Sequence, residues 1–168
     1  MKHFIFLLSL FVINSFVINA QEVFSPNKNI KIILVSKKTS DKKSSGQVYF
    51  RIQCKKGSEY VEVLPNSHLG ILRADQRFAD NLKFIGESKA VEIHDKYEMV
   101  CGKRKLCENF GTEKVFNYVN SNNKPLSIVF RAYNNGVAFR YSFPDHSDSS
   151  INIIDEVTTF VLPDSTSR

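Results

Sequence analysis

A chain of 168 residues, 42% of them hydrophobic, is long enough for one domain with its own core and too short for several. Its net charge of +6 would suit an anionic partner, but the basic residues are scattered. The densest basic run, Lys37 to Lys43, is mixed with Thr39, Ser40 and Asp41, as in a solvated loop, which argues against nucleic acid as a ligand.

The first twenty residues read as a secretory signal peptide. Met1-Lys2-His3 is a short basic start, Phe4 to Ile13 is apolar, and Ile18-Asn19-Ala20 ends on a small residue. The apolar run is shorter than the ~20 residues of a membrane span, so no membrane association is expected after cleavage behind Ala20. Residues 21–168 then form the mature domain, 148 residues with a net charge of +5, and the expected location is the periplasm. No cysteine follows the cleavage site, so a lipid anchor is not expected.

Downstream, short alternating or β-branched runs are separated by polar turns. Ser25 to Asn29 is a turn signal, and Ile30 to Ser36 a strand. Further strands are expected at Gln47 to Gln53, Glu59 to Leu64 (ending at Pro65), Leu69 to Leu72, Ala90 to Val100 and Lys114 to Val119. Others are expected at Leu126 to Asn134, Val137 to Phe143 and Val157 to Leu162. Asp75 to Leu82 has room for one helical turn, and no amphipathic helix is evident. Strands at this spacing predict an all-β fold, an antiparallel β-sandwich.

The segment Arg131-Ala132-Tyr133-Asn134-Asn135-Gly136-Val137-Ala138-Phe139-Arg140 reads as a tight hairpin. With Asn135-Gly136 as a type I′ turn, Arg131 pairs with Arg140. Ile128, Phe130 and Ala132 then share a core face with Phe139, Tyr141 and Phe143. Two facing arginines repel unless an acid joins them, and Glu113, Asp155 and Glu156 are the first acids to consider.

Little else carries chemistry. None of the acids stands in a motif that marks a catalytic carboxylate, Gly-x-Ser-x-Gly is absent, and Ser67-His68 are neighbours without a placed acid. His94 shares a strand face with Glu92, which reads as a surface pair. Cys54, Cys101 and Cys107 are odd in number, so at least one is unpaired in a monomer. Cys101 and Cys107 are a possible disulfide closing a small loop, and three reduced thiols are an equal alternative. No zinc spacing is present.

Phe130 to Tyr141 closely resembles a segment in the N-terminal domain of glycoside hydrolase family 97, which includes α-glucosidases and α-galactosidases. Ser25-Pro26-Asn27-Lys28 resembles that family's opening Ser-Pro-Asp-Gly, and Asn66 to Ile71 its Ser-x-Leu-Gly-Leu element. Tyr97-Glu98 with Gly102-Lys103-Arg104 resembles its Tyr-Glu…Gly-Lys-Arg stretch, and Glu156 to Pro163 a later strand. The resemblance implies a galactose-mutarotase-like supersandwich that packs on a catalytic (β/α)₈ barrel and edges its sugar pocket. It points to Lys103, Arg104, Arg131 and Arg140 as substrate- or barrel-side contacts, and to carbohydrate as a ligand of the intact enzyme. It implies no cofactor in this chain; calcium in intact homologues would draw on a glutamate expected after Pro163. A barrel takes about 250 residues, more than follow the signal, so the expectation is a chain cut before its barrel and inactive alone. A free-standing periplasmic carbohydrate-binding or scaffold protein is the alternative.

Overall fold

The computed structural model describes residues 21–37, 46–145 and 150–163. The expected signal peptide and most of the Lys37–Lys43 run lie outside them. Twelve strands follow one another: β1 (Gln21–Phe24), β2 (Ile30–Lys37), β3 (Gln47–Lys56), β4 (Glu59–Leu69), β5 (Ile71–Arg73) and β6 (Arg77–Phe78). Then come β7 (Lys83–Glu87), β8 (Val91–Glu98), β9 (Leu106–Val119), β10 (Pro125–Tyr133), β11 (Gly136–Ser142) and β12 (Ile153–Glu156). All pairings are antiparallel, and no described residue is helical.

One sheet has the order β1-β2-β3-β4 and the other β11-β10-β9-β7, with β8 also on β9. They enclose the core. Val23, Ile32, Leu34, Val48, Phe50 and Leu69 project from the first sheet, and Phe116, Tyr118, Leu126, Ile128, Phe130 and Ala132 from the second. Phe50 bridges the layers, its ring 5.7 Å from that of Phe130 and 5.6 Å from that of Phe139. Such aromatic pairs add directional attraction to the area they bury. A small sheet, β12-β5-β6, extends one end and contributes Ile71 and Phe78 to the core.

The β1–β2 turn is as tight as its residues imply. Ser25 Oγ accepts the Ile30 N–H at 2.9 Å and donates to Asn27 Oδ1 at 2.8 Å. Lys28 takes a left-handed φ of 57°, which a side chain disfavours.

Several expectations are corrected. β4 does not end at Pro65 but runs through it to Leu69. Phe50 pairs with Ser67 and Ile52 with Leu64, so Pro65 and Asn66 bulge opposite Arg51, a place where proline's missing N–H costs no ladder bond. Asp75 to Leu82 forms no helical turn; it contains β6. Residues 157–162 are not a strand. They lie along the end of β4 instead: Val157 N–H donates to Gly70 O at 3.0 Å, Thr159 N–H to His68 O at 2.9 Å, and Val161 N–H to Ser67 Oγ at 2.9 Å. Phe160 from this stretch packs near Phe50 and Phe139. The strand nearby is β12, and β1 and β7 were not foreseen, being short or half-exposed.

The hairpin register is also corrected. Tyr133 pairs with Gly136, Arg131 with Ala138, and Val129 with Arg140. The two-residue turn is therefore Asn134-Asn135, and none of Asn134, Asn135 and Gly136 has positive φ, so the turn is not type I′. The expected core face survives the shift, since the pairing moves by two residues and Ile128 now faces Tyr141 and Phe130 faces Phe139.

Candidate functional site

The second face of the β11-β10-β9-β8 sheet holds a polar cluster. Arg131 stands on β10 opposite Glu113 on β9, and its Nε–H donates to Glu113 Oε2 at 2.6 Å. Asp95 reaches in from β8, its Oδ2 3.6 Å from Arg131 Nη1. The same carboxylate oxygen accepts the Tyr133 hydroxyl at 2.8 Å, and that hydroxyl oxygen accepts Arg131 Nη1–H at 3.4 Å. Tyr133 and Glu113 raise the already high pKa of Arg131, so the side chain stays charged at every working pH.

Gly111 makes the cluster possible. It faces Tyr133 across the ladder, and a Cβ there would lie 2.8 Å from Tyr133 Cδ1 and 2.9 Å from Cε1. The Tyr133 ring thus uses the space a side chain at 111 would fill, and its hydroxyl reaches Asp95.

Beside the cluster is a cleft of about 230 Å³, lined by Val129, Arg131, Tyr133, Ala138, Phe139 and Arg140. Arg140 is exposed, and no acid among the described residues pairs with it. The expected arginine–acid pairing thus exists for Arg131, with Glu113 as foreseen and Asp95 in addition. Asp155 and Glu156 sit on β12 in the small sheet and pair with neither arginine. The arrangement can hold a polar or anionic group at Arg140; the other charged groups already have partners.

Lys103 and Arg104 are elsewhere. β8 and the first part of β9 form a ribbon that runs past β10, whose pairing with β9 begins at Gly111. The ribbon's loop, closed by Met99 N–H to Lys105 O at 2.8 Å, carries Cys101, Lys103 and Arg104, all exposed. Glu113 and the start of β9 are seven residues apart, roughly 24 Å at ~3.4 Å per residue, so these cations do not join the cleft. Cys54, Cys101 and Cys107 are free thiols. The apolar residues Tyr97, Met99, Val100 and Leu106 are exposed on the same ribbon end.

The two histidines among the described residues, His68 and His94, have structural partners. His94 contacts Glu108 across the ribbon rather than Glu92. His68 Nε2 is 3.0 Å from Ala79 O, and Ser67 Oγ donates to Pro65 O, so these neighbours form no nucleophile–base pair. Among the described residues, no three His, Cys, Asp or Glu side chains gather as a metal site. Residues 164–168, Asp-Ser-Thr-Ser-Arg, include no glutamate, so the one expected after Pro163 is not in this sequence.

One buried cation escaped the sequence reading. The Arg73 side chain is 3% exposed. It donates through Nε to Asp75 Oδ1 at 2.9 Å and through Nη2 to Asp75 Oδ2 at 2.6 Å, and its other edge meets Asp145 at 3.2 and 3.3 Å. The Asp75 hydrogen bond chiefly raises its pKa, and Arg73 in turn holds the Asp75 carboxyl below its usual range. Phe78 and Phe143 flank the guanidinium at 5.5 and 4.6 Å. The signal available was Arg73-x-Asp75, an arginine at the end of β5 and an acid two residues on, in the turn that follows it.

Residues 23–168 match the sequence family described as glycosyl-hydrolase 97 N-terminal. No curated protein matches the chain. Among solved structures, a family 97 enzyme of Pseudoalteromonas sp. strain K8 in complex with panose is 23% identical, with a TM-score of 0.67 over 85% of this chain and 20% of its own. A β-arabinopyranosidase is 22% identical, with a TM-score of 0.69 over 84% of this chain and 21% of its own. The chain thus spans about a fifth of the length of these enzymes, and at such identities the likeness speaks for the fold. On the family match, which covers nearly all of the sandwich, the chain belongs to the glycosyl-hydrolase 97 N-terminal domain family.

Proposed function

We propose that this chain is the non-catalytic β-domain of an exported α-glycosidase, packing on a catalytic barrel and edging its sugar pocket. The observation that carries the reading is the family match across residues 23–168. Two features support it. In the Arg131–Glu113–Asp95–Tyr133 cluster every polar side chain already has a partner, as in a rigid support rather than a reacting centre. The ribbon end presents exposed Tyr97, Met99, Val100 and Leu106 beside Lys103 and Arg104, a mixture that fits a contact with another domain.

The test is assembly. The purified chain is mixed, without sugar, with the barrel portion of a family 97 enzyme lacking its own N-terminal domain. Co-elution on size exclusion, followed by recovery of aryl α-glucoside or α-galactoside hydrolysis, is the expected result. Failure to associate, with the barrel portion shown to be folded, would overturn the reading and leave the free-standing periplasmic protein.

A further inference from the structure

A second depression, of about 220 Å³, lies where the ribbon passes the β10–β11 turn, lined by Glu108, Asn109, Phe110, Asn134 and Asn135. We propose that it is a subsite for a single ring of a neutral pyranose sugar. The proposal builds on the preceding one only in taking carbohydrate as the ligand class.

The floor is Phe110, which is 53% exposed although it is a large apolar ring. One of its faces is covered by the His94 imidazole, stacked at 4.2 Å and 13°. His94 is itself held by Glu108, so the aromatic surface is fixed in orientation. A flat aromatic face carries negative potential and attracts the weakly positive C–H groups that a pyranose ring presents on one side.

The walls supply hydroxyl partners. Asn134 Oδ1 accepts the Asn27 N–H at 3.0 Å, so its carbonyl end is committed and its NH₂ is left to donate. Asn27 is steadied by Ser25 Oγ. His94 and Lys96 both meet Oε1 of Glu108, which leaves Oε2 as an acceptor. The hydrogen bonds from Lys96 first and His94 second lower its pKa, so it stays a carboxylate. The lining therefore has a fixed donor in Asn134, a fixed acceptor in Glu108 and no unpaired cation.

That combination selects among ligands. A phosphate or carboxylate needs an unpaired cation, and the lining has none. A purely apolar group would leave the amides and the carboxylate without partners. A polyhydroxylated ring with one C–H face satisfies both. The volume falls below the ~300–1,000 Å³ of sites for drug-sized ligands, which matches one ring rather than a chain of them. An open, shallow site of this kind binds weakly, with a Kd on the order of 1 mM.

The test is amide chemical-shift mapping of the purified chain with maltotriose and, separately, melibiose. Saturable shifts at Asn109, Phe110, Asn134 and Asn135 are expected with at least one sugar. Phe110→Ala should weaken binding about tenfold or more. Phe110→Leu, which keeps apolar bulk on the strand but removes the flat face, should do the same and guards against a folding defect. Absence of saturable shifts at these residues with both sugars, or unchanged affinity in Phe110→Leu, would overturn the subsite. The barrel association is read without sugar, so either proposal can fail while the other stands.

Discussion

Arg131 and Arg140 share one face of the β10–β11 hairpin but do not oppose each other: Arg131 stands across from Ala138 and Arg140 from Val129. This diagonal placement relieves the repulsion of a facing pair and assigns the acids to one arginine alone. Glu113 should therefore couple to Arg131 and not to Arg140. Both members of the pair are partly solvated, so a double-mutant cycle on Arg131→Ala and Glu113→Ala should give about 0.5–1 kcal/mol. The same cycle on Arg140→Ala and Glu113→Ala should give a value near zero. Urea denaturation measures both; equal couplings would place the carboxylate between the two arginines.

Arg73 is the charge whose removal should cost most. Breaking a buried ion pair costs about 3–5 kcal/mol, but Asp75 and Asp145 are 42% and 22% exposed and can rehydrate. Arg73→Met is expected to lower stability by about 2–3 kcal/mol, since it keeps most of the packing on Phe78 and Phe143 and loses both forks. A change below about 0.5 kcal/mol, the range of ordinary surface sites, would show that the forks contribute nothing net.

Two glycines should behave oppositely to what the hairpin motif implies. An added Cβ at Gly136 meets nothing within 4 Å, and its φ is not positive, so Gly136→Val should be neutral within about 0.5 kcal/mol or slightly stabilising. At Gly111 the same atom would press into the Tyr133 ring. Gly111→Ala should cost about 1–3 kcal/mol by overpacking and free the Tyr133 hydroxyl from Asp95. Thermal melts of the two variants side by side decide the matter.

Lys28 occupies a left-handed φ of 57°, where the resembled family motif has glycine. Its backbone is what is used there: the N–H donates to Ser25 O at 2.8 Å and the carbonyl accepts the Tyr60 hydroxyl at 2.6 Å. Lys28→Gly should therefore stabilise by roughly 0.5–1 kcal/mol, since relief of the side-chain strain exceeds glycine's extra chain entropy. A lower melting temperature would show that the lysine side chain contributes more than its strain.

Burial pushes the phenols of Tyr118 and Tyr141 up to about 12, against about 10 for a tyrosine in an unfolded chain. Between those values the unfolded state has lost the proton and the folded state keeps it. Stability is thus undiminished below pH ~10 and falls as pH rises through 12, by up to roughly 2–3 kcal/mol per tyrosine. Tyr118→Phe should flatten part of that slope. Urea midpoints at about pH 9 and pH 11 provide the comparison, and equal slopes for parent and variant would contradict it.

The alternation of apolar residues made most of the sandwich legible, because a half-buried strand writes its burial into a period of two. It failed where that relation breaks. Pro65 looked like a stop, but a bulge absorbs it. Residues 157–162 are β-branched or apolar as in a strand, but they donate to Gly70, to β4 and to Ser67 Oγ without entering a ladder. At the hairpin, Asn-Gly is the stronger local turn signal, but matching Phe130 to Phe139 and Ile128 to Tyr141 in the core moves the turn one residue earlier, which shifts the pairing by two and keeps the faces. Glu113 could be named in advance as an acid near Arg131. Asp95 could not, because its approach depends on β8 taking the far edge of β9. Arg73 and Phe110 were hidden for the same reason: one carries charge where a core residue would sit, and the other is apolar where a solvated residue would sit.

The stretch from Val157 to Val161 also sets an order of events during synthesis. Its bonds to Ser67 and His68 span 89 to 94 residues of sequence, and Phe160 closes over Phe50 and Phe139. Contacts of such separation make folding slow, because loop-closure entropy is met before the contact rewards it. A nascent chain that has emerged only as far as β11 can pair both large sheets yet leaves Phe50 uncovered at the rim. The domain is therefore expected to mature late and all at once, with an interval in which an aromatic edge is open to chaperones or to aggregation.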